Sequence, residues 1–187
     1  MSGDNTAIDT GDRSHKVERN VTLPYVPASV TGARRRLCSD LHTMRICQSR
    51  VHDAALVVSE LVSNALRHAS PLPAPDSDSV GISWRIEIDP NSSVPGWVEI
   101  AVRDGGSSTM PRVARPSLSG LGGRGLSIVQ SLAGRWGTEM EATTTTIWAV
   151  LEISDEDLGP LPGTTQSHAT PDTLGPLDDT PTRGALL

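Results

Sequence analysis

The chain has 187 residues, a net charge of −6, 3% aromatic residues and no phenylalanine, which suits one domain with an aliphatic core and flanking tails. Positions 17–154 balance thirteen arginines with thirteen acids, while positions 155–187 carry six acids and one arginine. A neutral domain with an acidic tail gives no electrostatic basis for nucleic-acid binding, and the polar Met-Ser-Gly-Asp-Asn start and the lack of a long apolar run argue against a signal peptide and a membrane span.

A cytoplasmic protein is therefore expected. Cys38 and Cys47 form no CxxC pair, and no His/Cys cluster has metal-ligand spacing, so both read as ordinary reduced thiols. In chain order, residues 1–16 are polar and aperiodic and are expected to be disordered. Residues 17–23 alternate as a strand does, ended by Pro24 and Pro27. Ser29 is placed to cap a helix reaching to about Met44, with Val30, Ala33, Leu37 and Leu41 three or four apart. Arg34, Arg35 and Arg36 on it read as a solvated face.

Residues 51–69 give the strongest helical signal. Ala54, Val57, Val58, Leu61 and Ala65 fall on one stripe, with Glu60 and Asn64 at its edge, one turn apart. A Pro- and Asp-rich loop follows at 70–79, then strands at 80–89 and 97–103 joined by a turn-rich link. Residues 104–123 form a long Gly, Ser, Pro and Arg stretch without periodicity, a length that usually signals a functional loop such as a lid. A short helix at 124–133 and strands at 135–141 and 145–153 complete the domain. The composition of 155–187 cannot bury enough apolar surface to fold. The order β, α, α, β, β, lid, α, β, β predicts an α+β two-layer sandwich, its antiparallel or mixed sheet covered by helices on one face; a mixed sheet is the form expected. The domain is thus expected over 17–154, between two disordered tails.

Three constellations carry chemistry. Glu60 and Asn64 project to one place: the amide oxygen suits Mg²⁺, and the carboxylate could accept a proton from an attacking hydroxyl. An isolated ExxxN more often marks only the water line of a helix. Asp104-Gly-Gly106 ends a strand, either as a plain Asp-Gly turn or as a buried acceptor for an exocyclic amine, with Gly106 letting a base approach the backbone. Gly120-Leu-Gly-Gly-Arg-Gly125 precedes a helix, where free N–H groups favour phosphate; a flexible hinge is the alternative. No Gly-Lys-Ser/Thr follows, so it is not a Walker loop, and the missing βαβ context argues against a dinucleotide fold.

Taken together, Glu60-Leu-Val-Ser-Asn64-Ala-Leu-Arg-His68, Asp104-Gly-Gly106, Gly123-Arg-Gly125-Leu-Ser-Ile-Val129 and Thr145-Thr146-Ile-Trp-Ala-Val-Leu resemble the successive boxes of the histidine-kinase-like ATPase superfamily, the GHKL group. Within it the chain is most similar to small actinobacterial ATP-binding regulators related to anti-sigma-factor serine/threonine kinases, over roughly residues 17–153. The resemblance implies an α/β sandwich that binds ATP and Mg²⁺ under a mobile lid. It implies Asn64 as the Mg²⁺ ligand, Glu60 as the general base, Asp104 on the adenine amine and Gly106 beside the base. Gly123, Arg124, Gly125 and Leu126 would shape the hinge and phosphate site, and Thr145 or Thr146 would complete the adenine pocket. Two positions depart from the family's pattern: Ser108 stands for the last glycine of the first box, and Thr144 for the glycine before the late threonines.

The resemblance implies a protein partner, a sigma factor or an anti-anti-sigma-like regulator, and a homodimer. It leaves a serine/threonine kinase and a non-catalytic ATP-responsive binding module as the two readings, with the retained Glu60 favouring the kinase. A two-component sensor is disfavoured, because no helix pair presents a phosphoacceptor histidine; His42 and His52 read as surface residues.

Overall fold

The computed structural model describes residues 5–9, 15–89, 92–93, 95–106 and 125–159. In chain order these form β1 (Asn5–Asp9), β2 (His15–Pro24), α1 (Ala28–Thr43), α2 (Gln48–His68), β3 (Ser79–Ile88), β4 (Gly96–Asp104), α3 (Gly125–Leu132), β5 (Arg135–Met140), β6 (Thr145–Ile153) and a 3-10 turn at Asp155–Asp157. One six-stranded sheet runs in the order β1-β2-β3-β4-β6-β5, with the helices packed on one face. The α+β sandwich is as expected, but the sheet is antiparallel throughout rather than mixed. The reason lies in where the long connection lands. β5 runs in the same direction as β4, yet β6 folds back as a hairpin and inserts between them, so no parallel neighbours arise.

Strict alternation builds the core. Val80, Ile82, Trp84, Ile86 and Ile88 of β3, Val98, Ile100 and Val102 of β4, and Ile147, Ala149, Leu151 and Ile153 of β6 all point to the helices and are buried. α1 contributes Ala33, Leu37 and Leu41 at steps of four, and α2 a wider stripe from Val51 to Ala65. Leu126 and Val129 close the cluster from α3. With no phenylalanine available, Trp84 is the bulkiest fully buried side chain. Its indole N–H donates to Asp40 Oδ2 at 2.8 Å, and the Arg19 guanidinium grips the same carboxylate at 2.8 and 3.0 Å. That three-way knot ties α1 to β2 and β3.

Three boundaries differ from expectation. Within the expected N-terminal tail, residues 5–9 form edge strand β1 against β2, and β2 itself starts at His15; five residues with little periodicity become a strand because an existing neighbour supplies their hydrogen bonds. Ser29 does not cap α1. Pro27 stands at the N-cap, and the buried Ser29 hydroxyl donates back to the Pro24 carbonyl at 2.6 Å. At the other end, residues 155–159 belong to the domain. Leu158 bridges Ile46, the Cys47 N–H donates to the Asp157 carbonyl at 2.7 Å, and Asp157 is buried. The remainder of both tails lies outside the described residues. Among the described residues no helix is long and apolar enough to cross a membrane.

Candidate active site

β4 and β6 place two polar side chains where their apolar rows run out. The row Val98, Ile100, Val102 continues to Asp104, which is only 3% exposed, and the row of β6 starts at Thr145, also buried. The register sets Asp104 opposite Thr145, so carboxylate and hydroxyl lie side by side on the helix-facing side of the sheet. Thr146 points to the opposite face, across from Arg103; the structure therefore brings Thr145, and not Thr146, beside Asp104.

Burial pushes the Asp104 carboxyl above its ordinary pKa, opposed by the hydrogen bond its Oδ1 accepts from the Gly106 N–H at 2.8 Å. A buried acceptor with spare lone pairs wants a donor, which an exocyclic amine can supply. Gly106 has φ +80°, a conformation that glycine tolerates and side chains resist. Gly105 is constrained still more tightly: a Cβ there would lie 1.9 Å from the Pro71 carbonyl oxygen. The close approach exists because Ser70 pairs with the turn from both sides, accepting from the Gly105 N–H at 2.8 Å and donating to the Gly106 carbonyl at 2.9 Å. Ser70 and Gly105 are site-forming residues that sequence reading missed. The doubled glycine was the only available signal for the second.

α2 carries Glu60 and Asn64, both half-buried and one turn apart as expected. The helix packs on β4 and β6. Its last turn is fastened to the strand ends by Tyr25, whose hydroxyl lies 2.8 Å from the Ala65 carbonyl and 2.5 Å from that of Ala69. Burial, and then the nearby Asp104 charge, raise the Tyr25 pKa, so this hydroxyl stays protonated and keeps donating. Tyr25 was also missed, since a lone tyrosine after a strand carries no pattern.

Beside the Gly105–Gly106 turn opens a cleft of about 450 Å³, lined by Ser70, both glycines and residues 140–145. That volume is in the range of small-molecule clefts. Glu60 and Asn64, on α2, are not among its lining residues. Gly123 and Arg124, together with Ser108 and the expected lid, lie outside the described residues. Gly125 opens α3, and Leu126 packs into the hydrophobic core. No group of three or more His, Cys, Asp or Glu side chains among the described residues could hold a metal. Asn64 would thus offer Mg²⁺ one amide oxygen, a fit for an ion held chiefly by a ligand's phosphates and water.

No curated protein matches the chain. Among solved structures it is similar to the RsbU and RsbW domains of Rv1364c from Mycobacterium tuberculosis, with 18% identity and a TM-score of 0.52. That match covers 73% of this chain and 32% of the other, so the chain spans about a third of that structure's length and the likeness speaks for the fold. The model of the histidine kinase-like ATPase domain matches residues 23–151, more than half of the chain and every element from the end of β2 to β6. With Asp104 buried at the end of β4, Thr145 beside it and Glu60 and Asn64 on the covering helix, the chain belongs to the histidine kinase-like ATPase domain family.

Proposed function

We propose that this ATP-binding domain is a serine/threonine protein kinase of the anti-sigma type, which uses ATP and Mg²⁺ to phosphorylate a partner regulator. The observation that carries the reading is the pairing of Glu60 with Asn64, one turn apart on α2 at the edge of its buried stripe. A pure nucleotide binder needs an amide for the metal but has no use for a base. Asp104 accepts the adenine amine, Gly106 leaves room for the base, and Thr145 adds a hydroxyl beside them. Asn64 would hold Mg²⁺, which would supply positive charge to offset that of the phosphate oxygens. Glu60 accepts the proton of a serine or threonine hydroxyl as its oxygen attacks the terminal phosphorus. The bond from that phosphorus to the bridging oxygen breaks, ADP departs, and Glu60 is left protonated until solvent recovers the proton. The partner is a sigma factor or an anti-anti-sigma-like regulator, the kinase acts as a cytoplasmic homodimer, and no nucleic acid is contacted.

The test is transfer of labelled phosphate from ATP to candidate partners. Glu60→Ala is expected to leave ATP binding nearly intact while transfer falls by about 10²–10⁴-fold, the usual range for a general base. Asn64→Ala is expected to weaken Mg²⁺-dependent nucleotide binding itself. If the parent binds ATP but transfers phosphate to no partner, and Glu60→Ala changes nothing, the domain is a non-catalytic ATP-responsive binding module.

A further inference from the structure

The connection between β5 and β6 is four residues long, 141–144, and its backbone is closed by the Glu141 N–H donating to the Thr144 carbonyl at 2.9 Å. Side chains add much more. The Thr144 hydroxyl donates to Glu141 Oε2 at 2.9 Å, and its oxygen accepts from Arg103 Nε at 3.3 Å and Nη2 at 3.2 Å. Arg103 Nη2 also reaches Glu141 Oε2 at 2.6 Å. Thr144 is 5% exposed, whereas the Arg103 and Glu141 side chains are 50% and 66% exposed.

This contrast in exposure decides what holds the group together. An ion pair as open to water as Arg103–Glu141 contributes little alone, because solvent and salt screen it. The buried Thr144 hydroxyl is different. It uses its donor and its acceptor at once, and removing it would leave both charged partners without their shared anchor. The position is the one where the family's pattern expects glycine, so the threonine adds a contact that a glycine could not make.

The location connects this knot to the cleft. Arg103 directly precedes Asp104 and projects from the opposite face of β4; Thr144 directly precedes Thr145 at the start of β6. The knot therefore clasps the two strand ends whose next residues are the facing pair Asp104 and Thr145. Residues 140–145 also line the cleft, together with Ser70, Gly105 and Gly106. We propose that Arg103, Glu141 and Thr144 are positioning residues that hold the cleft wall and keep Thr145 in register with Asp104, and so set both the affinity for adenine nucleotides and the preference for adenine over guanine. The inference rests on the ATP-binding reading above. None of the three is a catalytic residue; each acts through Thr145 and the wall.

The experiment is a titration of the full chain with fluorescent ATP and GTP analogues, with the melting temperature recorded for each variant. Thr144→Val, close to isosteric, is expected to weaken ATP binding about tenfold, the scale of one lost hydrogen bond to a charged group. GTP binding should change less, so the ratio of ATP to GTP affinity shrinks. Thr144→Ser is expected to restore both. Arg103→Met keeps the side-chain stem at an exposed position and should repeat the loss, which covers the case that Thr144→Val fails to fold. A merely structural role would lower the melting temperature and leave the affinity ratio unchanged, which overturns the proposal. Parent-like ATP affinity in folded Thr144→Val and Arg103→Met would overturn it too, while leaving the ATP-binding reading standing. If the parent binds neither nucleotide, that reading falls and this inference falls with it.

Discussion

Asp104 is a polar residue in an apolar row, and the fold tolerates it at a cost. Its carboxyl has a raised pKa because burial disfavours the charge. A carboxyl whose folded pKa lies above its unfolded value favours the folded state most at low pH, and that contribution is lost as pH rises through the folded value. At neutral pH, Asp104 therefore destabilises the unliganded domain. Asp104→Asn keeps an oxygen able to accept the Gly106 N–H and removes the buried charge. The variant is expected to melt above the parent at pH 7, with the difference fading as pH falls below the ordinary aspartate range. Its ATP affinity should drop roughly ten- to a hundredfold, since the adenine amine loses its acceptor or meets the amide's own N–H₂. Scanning calorimetry and binding calorimetry on the same sample check both signs. A variant that is less stable yet binds ATP as well as the parent would refute the assignment.

At the scale of elements, α2 is held at both ends. Tyr25 bonds the carbonyls of its last turn. The segment after β6 anchors its start: Asp157 accepts from the Ser154 N–H at 3.0 Å, the Ser154 hydroxyl at 2.8 Å, the Cys47 thiol at 3.2 Å and Arg50 at 3.2 and 3.3 Å. Burial alone would raise this carboxyl's pKa, but the hydrogen bonds outweigh it and hold the value at about 2. Here the sign is reversed. A depressed pKa contributes stability above the unfolded value, lost as pH falls from about 4 towards 2. A depression of this size is worth about 2 kcal/mol. Asp157→Asn should accordingly be destabilised at pH 7 and approach the parent near pH 2, as urea unfolding at a series of pH values would show. A chain ending at Ser154 should suffer the same loss, although composition alone suggests that everything after it is dispensable. If that chain unfolds at the parent's urea midpoint, the docking of 155–159 contributes nothing.

For the whole molecule, folding and binding are linked through one layer of contacts. Among the described residues, the fully enclosed core between sheet and helices consists of aliphatic side chains and Trp84, with Tyr25, Cys38, Met44 and Trp136 packed against it, and the site residues sit where that core reaches the sheet's end. A ligand that binds only the folded domain stabilises it by about 2.7 kcal/mol at a hundred times its dissociation constant. ATP with Mg²⁺ is expected to raise the melting temperature in proportion to the logarithm of its concentration. Asp104→Asn should shift that curve to higher nucleotide concentration. Asn64→Ala should erase the part that depends on Mg²⁺. An unchanged melting temperature at saturating ATP would contradict nucleotide binding by the folded domain.

How much was legible from residue order follows from what each feature depends on. Periodicity is local, so α1, α2 and strands β3 to β6 emerge within three residues of their observed ends. The pairing of Glu60 with Asn64 is legible because 3.6 residues per turn is a property of any helix. Asp104 as a buried residue could have been read too, as the next inward position after Val98, Ile100 and Val102. Features made by remote neighbours could not. β1 exists because β2 offers it an edge, and the antiparallel sheet exists because β6 inserts between β4 and β5. The choice of Thr145 over Thr146 depends on the register with Asp104. Gly105 is required by a Pro71 carbonyl more than thirty positions away in sequence. Asp157 looks like one acid of a polar tail until Arg50, Cys47 and Ser154 surround it. The sequence by itself thus determined the elements from β2 to β6, the family and the residues able to do chemistry, since propensity and spacing act over a few residues. Only the tertiary structure decided the strand order, the domain's limits and which polar groups meet, because hydrogen bonds and burial are settled between segments that no local pattern connects.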